Sequence, residues 1–358
     1  TIIPHVGLVP VAVFIIAMSV THTYLDVIPS IYLGAPDPDM VLSVLPGHRL
    51  LLEGKGLHAV RLTQIGSLGA TIMSTALFAV FVKLVDFSSA FLDTYLPIIL
   101  LGIVIFLLFQ AKKKFFALIL FLASGVLGLL VFNLPGLHNP LFAMLTGLFG
   151  TSTLLLSLQE NAKVPQQTES PLEIDAPDAV KAVVSGQAAG FLTAVFPGLG
   201  AASAAALSTA FVNLKEKSFL VLVGSIGTVN FILSLVTYLV LDKARNGSIV
   251  AVRELVGVAS SPFIVVCIGT VLLGAGLASI ILTKLTPPLA KTIMSMPYSA
   301  LAQSIIFVLI LLAAFLSGWW GLLILLTATS LGVLAPLLGV QRIYLMGCLL
   351  VPVLSYFF

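Results

Sequence analysis

The chain has 358 residues, 59% of them hydrophobic and 9% charged, with a mean hydropathy of +1.17. Soluble domains carry about 25% charged residues, so a soluble globular domain is excluded and an all-α polytopic membrane protein is expected. The net charge of +3 is too small to suggest nucleic acid as a partner, and no basic aromatic surface is legible. Cys267 and Cys348 lie far apart in apolar segments and read as small core residues. There is no Cys/His ligand spacing, Walker loop or strand-borne GxGxxG, so no metal or cofactor is expected. Thr1 stands where a Met would begin a chain, which leads us to expect a trimmed N-terminal piece; no signal peptide is legible.

Gly, Pro and charge divide the first half into S1 (5–33), S2 (60–85), S3 (95–110), S4 (115–134) and S5 (140–158). A polar stretch with five acids between Glu160 and Asp178 reads as a linker. The second half holds S6 (179–212, broken at 196–200), S7 (218–241), S8 (261–284), S9 (299–316), S10 (321–338) and S11 (341–357). The two halves run parallel in order, S1 with S7 through S5 with S11. "SVTHTYLDVIPSIYLGAPDPD" aligns with "GTVNFILSLVTYLVLDKARNG", setting His22 opposite Asn230. A first repeat over 1–158, a cytoplasmic linker over 159–178 and a second repeat over 179–358 follow. S6 has no partner, and one is expected before S1.

Lys112, Lys113 and Lys114 mark the S3–S4 loop as cytoplasmic, and alternation puts Arg49, Lys55 and Arg61 inside too. "FSSAF" at 87–91 and "GLHNP" then fall outside. Lys284, Lys291 and Arg342 follow S8 and S10, where the matching first-half loops lack Lys and Arg. This reversal of basic bias is the pattern of an inverted-topology repeat. Lys243, Arg245 and Arg253 conflict with it, accompanied by Asp242 and Glu254.

The linker before S6 and Lys215 and Lys217 after it are both inside, so S6 is expected to enter and return as a re-entrant hairpin. Its tip is Pro197, Gly198, Leu199 and Gly200, with the glycines supplying unusual φ angles and close backbone approach. Irregular backbone at membrane depth survives where it is buried in protein or lines a wet cavity. The helix restarting at Ala201 offers free N–H groups to an anion, and Ser203 adds a hydroxyl. A Pro-kinked spanning helix without a ligand is the plainer alternative.

"HTYLDVIPSIYLGAPDPDMVLSVLPGHRLLLEG" and "SGQAAGFLTAVFPGLGAASAAAL", with "GSIGTVNF" and "KARNG", resemble the large membrane subunit of the tripartite tricarboxylate transporter family, in its archaeal-type branch. The resemblance implies a many-helix permease taking up di- or tricarboxylates on an ion gradient. It also implies a small membrane subunit and an extracytoplasmic binding protein as partners, although solitary members need not use the latter. The family's usual Pro-Gly motif in each half is met here by "FPGLG" alone.

Ionisable residues inside apolar segments are expensive and point to function. His22 and Asp26, four apart on S1, relay protons, hold a cation, or glue S1 to a neighbour. Pro29 is expected to break S1 and turn Ser30 toward the cavity. Thr228 and Asn230 offer neutral hydrogen bonds to a carboxylate or a dehydrated Na⁺, and Arg245 is the best cation for a substrate anion. Asp37 and Asp39 are loop acids or caps of a helix from Met40, and Trp319, Trp320 and Tyr344 read as interfacial anchors.

These readings define an ion-coupled secondary transporter of small organic anions in the plasma membrane, driven by H⁺ or Na⁺. A second copy of the chain is a further candidate partner. A polyprenyl-phosphate translocase is the alternative, favoured by a lateral opening to lipid. No nucleophile stands near His22 and Asp26, so an enzyme is not expected.

Overall fold

The computed structural model describes residues 7–32, 47, 49–51, 53–137, 139–159, 167, 174–196, 200–244, 246–295 and 298–357. These residues form helices and turns, with no strand among them. Six described stretches are long and apolar enough to cross a bilayer: Leu8–Tyr32, Lys114–Phe132, Pro140–Leu158, Glu216–Leu241, Ser261–Ile293 and Ser299–Leu337. A bent pair, Gly56–Ala76 with Phe78–Ser89, makes a seventh if it counts as one span. The protein is an all-α polytopic membrane protein.

The first half holds α1 (Leu8–Leu25), α2 (Val27–Tyr32), α3 (Gly56–Ala76), α4 (Phe78–Gln110), α5 (Lys114–Phe132) and α6 (Pro140–Leu145). A π-helical turn (Thr146–Thr151) joins α6 to α7 (Ser152–Gln159). The second half holds α8 (Ala176–Val195), α9 (Ala201–Phe211), α10 (Glu216–Leu241), α11 (Gly247–Val256), α12 (Ser261–Ser295) and α13 (Tyr298–Leu337). A 3₁₀ turn (Arg342–Met346) then leads into α14 (Gly347–Phe357).

Three boundaries differ from the sequence reading. S1 breaks at Asp26, before Pro29, which lies inside α2. Proline has no N–H to give the carbonyl four residues back, and its ring crowds that oxygen; the break therefore falls one turn upstream. S2 is cut at Leu77, where α3 and the start of α4 meet at 72°. The "FSSAF" stretch is helical backbone inside α4 rather than a loop. S9 and S10, by contrast, are the two helices expected: the stretch labelled α13 is broken between them at Gly318, whose φ of 63° and ψ of −156° are not helical. A straight helix of that length would span nearly 60 Å at about 1.5 Å per residue, twice a bilayer core.

α10 is the centre of the molecule, buried along nearly its whole length. It meets α3 where backbone faces backbone. A Cβ on Gly66 would stand 2.0 Å from the Val221 carbonyl oxygen, and one on Gly224 2.3 Å from that of Thr63. Ser67 Oγ donates to the Gly224 carbonyl and Ser225 Oγ to that of Gly66, both at 3.0 Å. The helix pairs recur in matched sets: α3 on α10 and α1 on α12, then α5 on α14 and the π turn on α13. Small residues permit the second set as well, at Gly128 against Cys348 and Gly332 against Leu148. Cys267 and Cys348 are free and fully buried. Tyr344 is buried too, its hydroxyl donating to the Leu107 carbonyl at 3.3 Å. It is therefore a core residue and not the interfacial anchor expected, because the 3₁₀ turn draws it in; Trp319 and Trp320 are exposed beside the Gly318 bend.

Candidate substrate site

Where α1 leaves α10, the packing opens into a cavity of about 260 Å³. Ser19, His22 and Thr23 line it from α1, and Gly227, Asn230 and Phe231 line it from α10. These six positions pair under the alignment of the two halves: Ser19 with Gly227, His22 with Asn230, Thr23 with Phe231. Met18, Asn246 and Ser248 complete the wall. Asn246 caps α11, its Oδ1 accepting from the Ile249 N–H at 2.9 Å. The N-terminus of α11, the positive end of its dipole, is thus a wall of the same cavity.

The sequence-predicted pair is formed. His22 Nδ1 lies 2.9 Å from Asp26 Oδ2, with the imidazole largely exposed and the carboxylate at 14% exposure. The pair sits where Pro29 forces the helix to break, so one i,i+4 contact spans the break.

Other predicted residues lie elsewhere. Thr228 is buried and donates to the Gly224 carbonyl at 3.2 Å, outside the cavity lining. Ser30 is also fully buried, away from the lining. Pro197, Gly198, Leu199 and Arg245 lie outside the described residues, as do Asp37 and Asp39. Ala201 begins α9, as the sequence reading expects, and is buried. Ser203 is in its first turn, though its side chain is outside the described set. Gly200 has φ −71° and ψ 163°, ordinary extended backbone. The expectation that it supplies an unusual φ is corrected; a Cβ there would meet only Met346 Cε, the movable end of a flexible side chain, at 2.6 Å.

The two ends of S6 come together. Lys181 Nζ near the start of α8 donates to the Asn213 carbonyl beyond α9 at 3.1 Å. Lys215 Nζ lies 2.7 Å from Asp178 Oδ2, and that hydrogen bond raises the Lys215 pKa. Other loops that the charge reading places on one side also touch. Arg49 pairs with Glu216 at 3.6 Å and Lys113 donates to the Leu338 carbonyl at 2.7 Å. On the opposite side Ser317 donates to the Asn139 carbonyl at 3.2 Å. The conflicting Arg253 forms a two-pronged pair with Asp242, at 3.0 and 2.6 Å, which neutralises it locally.

Sequence reasoning missed a hydroxyl-rich cluster around the π turn. Thr151 and Thr329 share a hydrogen bond at 2.5 Å, and the Arg342 guanidinium donates to Thr153. The run "GTST" was the available signal, because hydroxyls in a membrane helix back-bond within it or bridge to a neighbour.

A polytopic helical bundle with a cavity between two of its helices fits a membrane-transporter class of protein. Residues 1–347 match the description "Tripartite tricarboxylate transporter TctA family". The chain belongs to that transporter family. It is also 27% identical to the uncharacterized protein MJ1079 of Methanocaldococcus jannaschii, over 99% of this chain and 91% of that one. No solved structure matches the chain.

Proposed function

We propose that the protein is an ion-coupled secondary transporter of small di- and tricarboxylates, working by alternating access in the plasma membrane. The carrying observation is the cavity walled by three aligned positions from each half. Transporters built from inverted repeats hold substrate and coupling ion at the repeat interface. The matched helix pairs support the two repeats as the bodies that rock. The meeting of the two ends of S6 supports the re-entrant hairpin.

In this reading Asn230, Ser19 and Ser248 hydrogen-bond the substrate carboxylates, with the α11 N-terminus and Arg245 adding positive potential. Asp26 repels an anion until a cation neutralises it. A proton on His22, or a Na⁺ beside Asp26, removes that repulsion, so ion and anion load together. Pro197, Gly198, Leu199, Gly200, Ala201 and Ser203 form the hairpin side of the pathway, with Thr228 and Ser30 behind it. A small membrane subunit, an extracytoplasmic binding protein and a second copy of the chain are the proposed partners.

A second reading, a polyprenyl-phosphate translocase, draws on a different observation. An apolar groove of about 450 Å³ runs between α4, α8 and α9, lined by Ile99, Phe106, Leu192, Leu207 and the exposed Phe211. Such a groove suits a lipid tail beside an anion seat.

The deciding experiment uses proteoliposomes with radiolabelled citrate, succinate and a short-chain polyprenyl phosphate, imposing Na⁺ and pH gradients separately. Gradient-dependent citrate or succinate uptake is expected. Movement of the polyprenyl phosphate alone would replace the first reading with the second.

A further inference from the structure

The turn after S10 carries a charge that its first-half counterpart lacks. "LPGLHNP" (134–140) and "LLGVQRI" (337–343) are equivalent under the alignment of the halves, which sets Arg342 opposite Asn139. The two turns share a backbone device, a glycine with positive φ, 74° at Gly136 and 68° at Gly339. Each is also held from the other half: Ser317 donates to the Asn139 carbonyl, and Lys113 to that of Leu338. The first turn is made with a neutral, exposed Asn139, so building the turn does not require a charge.

Arg342, by contrast, is half-buried. The 3₁₀ turn that it opens is wedged between α4 and α5. Tyr344 donates its hydroxyl to the Leu107 carbonyl at 3.3 Å, and its own carbonyl accepts from Ser124 Oγ at 3.4 Å. Ser124 is about 15 Å along α5 from Lys114, so the turn lies well inside the apolar layer. An ionisable group there is costly and normally has a partner of opposite charge. Arg342 has none among the described residues. Its guanidinium donates to the Thr153 hydroxyl alone, and that neutral hydroxyl gives its own proton to the Phe149 carbonyl at 2.5 Å.

The surface cations are treated in the opposite way. Arg49, Lys215 and Arg253 are more exposed, yet each has a carboxylate within 3.6 Å. A missing partner costs little in water and much in the interior. The cation that most needs an anion is thus the one left without it. A guanidinium is a planar fork matched to two oxygens of one group, and a single hydroxyl leaves most of that fork unused.

We propose that Arg342 anchors an oxyanion-binding site at the S10–S11 turn, taking a carboxylate or phosphate whose two oxygens meet the fork. Thr153 holds the guanidinium in place. The site is separate from the α1–α10 cavity, whose lining includes neither residue. Met346, at the far end of the same 3₁₀ turn, stands against Gly200 at the start of α9. The anion is therefore seated on the segment that also touches the return helix of S6. It comes from solution or from a lipid headgroup, and the chemistry at the fork is the same.

The test is thermal unfolding of the full chain in detergent at constant ionic strength. Sodium chloride is replaced stepwise by inorganic phosphate or by succinate, and in a third arm short-chain phosphatidylglycerol is compared with short-chain phosphatidylcholine. Wild type should be stabilised. Arg342→Gln can still donate to Thr153, but should need roughly ten times more anion for half of the effect, the loss of charge-assisted hydrogen bonds. Arg342→Lys, which keeps the charge and loses the fork, should fall between. A response to phosphate or succinate identifies a soluble oxyanion, and a response to phosphatidylglycerol alone identifies a headgroup. A merely structural arginine would lower the unfolding temperature of Arg342→Gln and leave the anion midpoints unchanged. That result overturns the proposal, as does a wild type indifferent to all three anions. If Arg342→Gln gives no monodisperse protein, Arg342→Lys carries the test, and an unchanged midpoint there overturns the proposal equally. Asn230→Leu should keep the wild-type response to phosphate, so this site stands or falls separately from the transport reading.

Discussion

α10 shows two opposite solutions on one helix. At Gly224 and Ser225 it closes on α3 so tightly that backbone touches backbone and the serines bond across the seam. Less than two turns later, at Gly227, Asn230 and Phe231, it stands off from α1 and leaves a cavity. Both stretches contain glycine, so smallness alone does not decide. What differs is the partner. α3 presents Gly66, which lets the helices meet, whereas α1 presents Ser19, His22 and Thr23 to the cavity. Small residues make a lock where both helices carry them face to face, and a glycine facing a helix that diverges opens onto a chamber instead.

The most damaging change should be to the lock. Gly66→Val sets branched carbon against a carbonyl oxygen already 2.0 Å from the Cβ position. Backbone cannot yield as a side chain does, so the cost should reach or exceed about 3 kcal/mol, the top of the usual overpacking range. Size-exclusion chromatography in detergent should show loss of the monodisperse peak; a normal peak would mean the seam is looser than its geometry.

Next comes the chamber. Asn230→Leu keeps the helix and the approximate volume but removes the amide. Hydrogen bonds to charged groups are worth about 1.5–3 kcal/mol, so carboxylate uptake should fall roughly 10- to 100-fold while the protein elutes normally. Unchanged uptake would leave the cavity without a role in binding.

Asp26→Asn separates ion coupling from anion binding. The contact to His22 at 2.9 Å is retained in shape but loses its charge. Uptake driven by an ion gradient should be lost, while equilibrium exchange of unlabelled for labelled carboxylate persists. Gradient-driven uptake at wild-type rates would make the pair a structural clasp.

The smallest effect returns to the seam. Ser225→Ala removes a hydroxyl that bonds to Gly66 while leaving the close glycine contact in place. A loss near 0.5–1 kcal/mol is expected, a shift of a few degrees at most in thermal unfolding, with transport unaffected. A loss as large as that of Gly66→Val would show the hydroxyls, and not the glycines, to be the lock.

Sequence alone determined a good deal. Composition fixed the membrane class, because so few charges cannot solvate a soluble surface. Helix periodicity placed His22 and Asp26 on one face, since i and i+4 are neighbours in any α-helix. The restart at Ala201 followed from local chemistry, as Pro and Gly end helices wherever they are. The alignment of the halves set His22 opposite Asn230. Tertiary structure decided the rest. That these two residues share a cavity depends on how α1 and α10 diverge, and no local propensity encodes a distance between helices. Thr228 carries the same chemistry as its neighbours, yet it turns into the core and bonds its own helix. Tyr344 reads as an anchor until the 3₁₀ turn buries it. Gln167 lies in an unremarkable polar linker, 111 residues from the Gly56 N–H it caps. Contacts over such separations arise from packing of the whole chain, which is why residue type and spacing could not announce them.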